Sequence, residues 1–204
     1  MTEAFGRFLN VVDVEATCWE GDPPPGQVHE IIEIGLTVVE LERQERVERA
    51  RILVRPERSE VGAFCTRLTG ITAQEVEGGV TFREACRQLE DTFRSRSRAW
   101  ASWGDYDRKQ VQRQCTSGQV AYPFSSRHTN VKAVFTGAYG LKKRPGMDGA
   151  LSLAGLPLEG RHHRGEDDAW NIAALVMHLM ERGLGLHSPL RDSHKHPLRM
   201  LVPR

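Results

Sequence analysis

Two hydrophobic periods organise this chain. Phe8 to Val14 (FLNVVDV) is an apolar run of strand length, and Ile31 to Leu41 (IIEIGLTVVEL) is a longer β-rich run. Val47 to Val54 reads as a third strand, with the charged stretch ERQER (42–46) as the hairpin connection. A β-meander therefore opens the chain. It is interrupted only by Glu20 to Gln27 (EGDPPPGQ), a loop marked by three prolines and two glycines. The period then changes. Phe82, Ala85, Cys86, Leu89 and Phe93 recur at helical spacing behind Thr81, a residue suited to an N-cap, which predicts a helix over Thr81 to Arg94. Ala99 to Trp103 is a short apolar strand that stops at Gly104, and a helix starts at Asp107 (DRKQVQRQC). Two further helices are predicted at Asn130 to Tyr139 and Met147 to Ala154. The clearest helix runs from Asp167 to Arg182, with Ala169, Ile172, Ala173, Val176 and Leu179 as its apolar stripe and Gly183 as its stop. Leu184 to Arg204 has no periodicity and reads as a poorly ordered tail. Three strands, a helix, a strand and further helices predict one α/β domain over residues 1–183, a mixed central sheet flanked by helices, followed by a tail over 184–204.

Composition narrows the class. A chain of 204 residues with 39% hydrophobic residues can bury a full core. The formal net charge is +1, from 28 basic and 27 acidic residues, so attraction to phosphate has to come from a local surface. No apolar run approaches the ~18–20 residues of a membrane span. The start, MTEAFGRFLN, lacks a signal pattern, so a cytoplasmic protein is expected. Cys18, Cys65, Cys86 and Cys115 form no CxxC pair and read as reduced, part-buried thiols.

The candidate chemistry lies in three acidic segments. Asp13 and Glu15 stand two apart on the first strand, which puts both on one face while Val12 and Val14 point to the other. Two acids on a buried strand face need compensation. If the strand instead ended at Asp13, both would be solvated. Asp107 follows the short fourth strand in SWGDYD, where Asp105 is its rival, since acids at helix starts are common. Asp168 opens the last helix, with Asp167 better suited to a capping role. His163, five residues before Asp168, could take a proton near neutral pH. Both lie in GRHHRGEDD (160–168), expected to be a surface loop feeding a helix. A zinc reading of His162 and His163 is weak, because adjacent side chains are expected to diverge. Carboxylates meeting at one point repel one another unless cations sit between them, and hard Mg²⁺ or Mn²⁺ prefers oxygen ligands. Such an arrangement suits two-metal phosphodiester hydrolysis.

The joint order, DxE, then D, then HxxxxD, resembles the DEDDh family of 3′→5′ exonucleases, whose fold is ribonuclease H-like. The chain is most similar to the Eri1-like branch, with its bacterial sporulation-inhibitor-like members. The segments that carry the resemblance are VVDVEATCWE (11–20), HEIIEIG (29–35), FCTRLTGIT (64–72), SWGDYD (102–107) and GRHHRGEDDAWNIAAL (160–175). The resemblance spans roughly residues 7–182. It implies that Asp13 bridges two metals, that Glu15 and Asp168 complete the first metal site, and that Asp107 rather than Asp105 acts through an intervening water. It implies His163 as general base, and Phe64, Leu68 and Tyr106 framing the terminal base, with Thr17 offering backbone contact to the terminal sugar. Phe64 and Leu68 could equally be core residues. Tyr106 stands where the branch often carries tryptophan. Steering cations would come from Arg127, His128, Lys132, Lys142, Lys143, Arg144, Arg161 and Arg164. The expected partner is single-stranded nucleic acid with a free 3′ end, RNA rather than DNA. The expected cofactors are two divalent ions, Mg²⁺ or Mn²⁺. No membrane partner is expected, and no protein partner is indicated. The alternatives are a DNA proofreading or repair exonuclease, and a regulatory binding protein on an exonuclease fold.

Overall fold

A computed structural model describes residues 6–183. The tail expected over 184–204 lies outside the described residues. Three antiparallel strands come first: β1 (Phe8–Ala16), β2 (Ile31–Glu40) and β3 (Glu45–Leu53). Helices α1 (Ala63–Thr69), α2 (Ala73–Glu77) and α3 (Phe82–Phe93) follow. Strand β4 (Ala99–Ser102), helix α4 (Tyr106–Ser117) and strand β5 (His128–Asn130) complete the sheet. Helices α5 (Val131–Ala138), α6 (Met147–Ala154) and α7 (Gly165–Glu181) end the described chain. The sheet order is β3-β2-β1-β4-β5, with β4 and β5 parallel to β1, so the sheet is mixed and flanked by helices as expected. None of the described helices is long and apolar enough to cross a membrane.

Period-two alternation sorts the core. Val12 and Val14 of β1, with Ile34, Leu36 and Val38 of β2, face a layer closed by α3 and α4 around the fully buried Trp100. Leu9 and Val11 face the other layer, where Phe135, Ile172, Leu175 and Val176 supply the bulk. On β2, Glu33, Gly35 and Thr37 share the face opposite Ile34, Leu36 and Val38, and Val39 continues it into the α7 cluster. A methyl group on Gly35 would fall inside the backbone of Gly165 and Glu166. The start of α7 therefore rests directly on β2.

The structure departs from the sequence-based expectations at short elements and at boundaries. Helices α1 and α2 and strand β5 were not predicted; at 7, 5 and 3 residues they are too short to show a period. The β2–β3 hairpin turns over residues 41–44, so β3 starts inside the charged stretch. The last helix begins at Gly165, two residues early, because Arg164 in extended conformation serves as its N-cap. Asn130 caps α5, accepting the Ala133 N–H at 2.9 Å. Thr81 forms a reciprocal capping box with Glu84 at the start of α3. The cysteines are free, with three buried and Cys18 half-buried.

Candidate active site

The acids meet where the sheet splits. The pairing of β1 with β4 covers only Leu9 to Val11, so beyond Val11 this edge of β1 is free. Strand β4 ends at Ser102, and the chain turns through Gly104 at φ +115° and enters α4. That turn places Asp107 in the gap. Its Oδ1 accepts the Val14 N–H at 3.1 Å, between the two acids of β1. On the opposite side, the first turn of α7 delivers Asp168. Its carboxylate accepts the His163 N–H at 2.9 Å and the His162 Nδ1–H at 3.1 Å. Carboxylate oxygens of Asp13, Glu15 and Asp168 lie within 4.8 Å of one another.

The electrostatics are those of anions crowded in a poorly hydrated place. Burial, then Asp107, Glu15, Asp168 and Glu33, hold Asp13 well above the usual carboxylate range. Glu15 is pushed up to about 8 by burial, then by Asp168, Glu33 and Asp107. Burial raises Asp107 to about 6, while the Val14 N–H, its own N–H and the Ser102 hydroxyl restrain the rise. Asp168 is also raised by burial, against the opposing pull of His162. A tenfold change in proton affinity corresponds to roughly 1.4 kcal/mol between protonation states, so this arrangement is costly as bare anions. The donor set is all oxygen and the charge is in excess, which fits hard divalent cations. A further sign of the fit is Glu33. It is fully buried beside these acids, and its Oε2 has no hydrogen-bond partner.

His163 adopts φ +62°, a left-handed conformation uncommon for a residue with a side chain. Its imidazole is held below its ordinary pKa by burial first and by His162 second, so it is neutral near pH 7. The expected divergence of the two histidines is corrected here. The left-handed turn at His163 brings the rings onto one side, stacked with centroids 4.0 Å apart. Asp105 is excluded from the cluster: it pairs with Arg108 at 3.1 Å and accepts from Asn130 at 3.0 Å, a local role at the start of α4. Asp167 closes the 160–167 loop, accepting the Arg161 N–H at 2.8 Å and pairing with Arg49.

The residues expected to frame a nucleotide are distributed unevenly. Tyr106 is 53% exposed and Leu68 37% exposed, so neither is spent on the core. Phe64 is half-buried, under the Arg67 guanidinium at 5.8 Å. Thr17 is fully buried. Its N–H donates to the Glu30 carbonyl at 2.8 Å, and its own carbonyl accepts the His29 Nδ1–H at 2.7 Å. Only the second lone pair of that carbonyl is left for a ligand. Among the expected cations, His128 is corrected. It packs against Trp100 with centroids 4.2 Å apart, lies 2.9 Å from Ser102 Oγ, and is lowered to about 4 by burial, so it carries no charge at neutral pH. Arg161 donates to the Arg67 carbonyl, Arg164 leans on Glu75, and Arg127 bonds the Ser97 carbonyl. Lys142, Lys143 and Arg144 are exposed.

Three participants escaped sequence reasoning. Glu33 lies in HEIIEIG (29–35), where an acid two residues from a glycine in an otherwise apolar strand is its signal. It accepts from Arg51 Nε at 3.2 Å and from the Glu166 N–H at 3.2 Å, tying β2 to the start of α7. Ser102 shares contacts with Asp107 and His128 behind the site. His162 stands out in the sequence only as a weak zinc candidate, and its place beside Asp168 depends on the backbone turn that follows it.

Known proteins resemble this chain in sequence and fold. A model of the exonuclease family (RNase_T) matches residues 11–176. The human protein 3′-5′ exoribonuclease 1 is 28% identical over 90% of this chain and 55% of its own length. The Drosophila melanogaster 3′-5′ exonuclease Snipper is 30% identical over 97% of this chain and 76% of its own. The chain thus spans about half the length of the human relative and about three quarters of the fly one. Among solved structures, the nuclease domain of 3′hExo, a DEDDh family member bound to rAMP, superposes with a TM-score of 0.81 at 28% identity, covering 89% of this chain and 95% of that one. The S. pombe Pop2p structure in its Mg²⁺- and Mn²⁺-bound form shares the fold, with a TM-score of 0.67 at 14% identity, covering 89% of this chain and 85% of that one.

Proposed function

The chain belongs to the exonuclease family, and from that premise we propose that it removes nucleoside 5′-monophosphates stepwise from the 3′ end of single-stranded nucleic acid, RNA in preference to DNA. The observation that carries this reading is the convergence of Asp13, Glu15 and Asp168 within 4.8 Å, beside Asp107 and a neutral His163. Asp13, Glu15 and Asp168 would hold two divalent cations, Mg²⁺ or Mn²⁺, with Asp107 engaged through water. When bound, such ions lower the pKa of the attacking water and offset the charge of the scissile phosphate.

The chain's own residues do the rest. His163 takes the proton of the attacking water, and its lowered pKa keeps it deprotonated and ready near pH 7. The water oxygen bonds to phosphorus as the bond to the departing 3′ oxygen breaks, and solvent protonates that oxygen. Val14 and Ser102 keep Asp107 aimed into the site, and Glu33 anchors the helix that carries Asp168. Exposed Tyr106 and Leu68, with Phe64, offer apolar faces to the terminal base. Contacts of that kind tolerate any base, because every base has a π-face.

The preference for RNA rests on relatives. The human relative is named an exoribonuclease, and a structural neighbour at 28% identity is described in 3′-end recognition of a histone mRNA stem-loop. The convergence of Asp13, Glu15, Asp107, His163 and Asp168 supports an enzyme over a purely regulatory role. The test is digestion of 5′-labelled single-stranded RNA and its DNA twin with Mg²⁺, Mn²⁺ or EDTA. A metal-dependent ladder shrinking from the 3′ end, faster on RNA, is the expected result. Folded protein that cuts neither strand with either metal would overturn the reading.

A further inference from the structure

We propose that His162, His163 and Asp168 form a second cation site, selective for a borderline transition-metal ion such as Zn²⁺, whose occupancy blocks the active site. Zn²⁺ binding is independent of the catalytic reading; the block rests on it.

The argument is one of donor chemistry and placement. One ligand atom from each of the three residues lies within 4.8 Å of the others. His162 Nδ1 already stands 3.1 Å and 3.2 Å from the two Asp168 oxygens. Ligand atoms around tetrahedral zinc at ~2.0–2.1 Å stand about 3.4 Å apart, so this pair is already near that spacing. A metal ion would replace the proton that His162 and Asp168 now share, and that proton would leave to solvent. The positive φ at His163 makes the site possible, since it stacks two neighbouring rings instead of splaying them. The His163 N–H bond to Asp168 fixes the third donor against the same turn. Asp168 is nearly buried, whereas the His162 side chain keeps 34% of its surface, so an ion has a solvent approach and at least one open position.

Two imidazoles and one carboxylate suit zinc-like ions and not Mg²⁺, which favours oxygen and keeps its waters. The catalytic set at Asp13 and Glu15 has the opposite preference. The two sites share Asp168, and the second one also takes the imidazole proposed as general base. An ion there would leave the reaction with no proton acceptor and one carboxylate fewer.

The test measures binding directly. Zn²⁺ is titrated by calorimetry, and Co²⁺ by its visible absorption, into the full chain and into Asp13→Asn, His162→Ala and the double variant. Asp13→Asn weakens the carboxylate site and leaves all three proposed ligands. That variant should still take up one Zn²⁺ per chain and give imidazole-ligated Co²⁺ bands, and it should ignore Mg²⁺. Adding His162→Ala should weaken Zn²⁺ by about tenfold or more and erase the bands. Zn²⁺ binding that disappears with Asp13→Asn alone, or that is unchanged by His162→Ala, overturns the proposal. His162→Asn, which keeps a polar side chain, serves if the alanine variant fails to fold. In a Mg²⁺-driven nuclease assay, half-inhibition by Zn²⁺ should require about tenfold more ion for His162→Ala, relative to that variant's own rate. A chain that binds Zn²⁺ through His162 and shows no nuclease activity would refute the proposed function and leave this site standing.

Discussion

At the scale of single residues, the site is a balance between desolvated charge and what offsets it. Asp13 is surrounded by other carboxylates, so Asp13→Asn should act in opposite directions on two measurements. Nuclease activity in Mg²⁺ should fall by ~10²-fold or more, as expected for a lost metal ligand. Thermal stability in EDTA at pH 8 should rise, because one buried anion is gone. A loss of stability in EDTA would show that Asp13 is held by something other than cations. His163 gives a second prediction. Its lowered pKa places the acid limb of the rate profile below the ordinary imidazole value of about 6.5. His163→Gln should remove that limb and cost ~10²–10⁴-fold in rate. An unchanged profile would assign the proton to another group. These residues were legible in the sequence because spacing of two on a strand and an acid at a helix start constrain direction. His162 was not legible, since its ring is placed by a backbone turn whose sign the sequence does not display.

At the scale of elements, close approach matters more than propensity. The start of α7 reaches Asp13 and Glu15 because Gly35 leaves room for the Gly165 backbone. Gly35→Ala should therefore lift α7 from β2, costing ~1–3 kcal/mol of stability and most of the activity together. Chemical denaturation and a single-substrate assay on one preparation would check both. Thr81→Ala is the contrasting case. It breaks the capping box of α3, far from the acids, and should cost about 1 kcal/mol while the turnover of folded protein stays unchanged. Helix α3 could be read almost to the residue from its sustained period, and the short α6 from the glycines that bound it. The short α1, α2 and β5 could not, since a single turn or a three-residue strand acquires its identity from pairing and packing. FCTRLTGIT carried its family resemblance without revealing that its first part, up to Thr69, is helical.

At the scale of the whole molecule, stability should depend on pH and metal together. Glu15 in the folded protein binds its proton up to about pH 8, whereas unfolded glutamate releases it near 4.5. Between these values the folded state holds more protons, so its stability is fully present below about pH 4.5 and falls as pH rises through 8. Melting temperature in EDTA should decline across that window, and Mg²⁺ should restore most of the loss at the alkaline end. His128 works in the reverse direction. Its folded pKa of about 4 means that stability is fully present above 6.5 and falls as pH drops toward 4, and His128→Gln should flatten that limb. An EDTA melting curve independent of pH between 5 and 8 would contradict the crowded-carboxylate reading. The mixed sheet itself was foreseeable from the order of elements. Its split beyond Val11 was not, because the place where β1 and β4 part depends on pairing register. The division of the reacting groups between β1 and α7 also bears on biosynthesis. Asp13 emerges early in translation and Asp168 only after nearly all of the described domain. A product cut short before His163 lacks both His163 and Asp168. On the proposed mechanism such a copy has neither the proton acceptor nor the α7 carboxylate, and it should be inert.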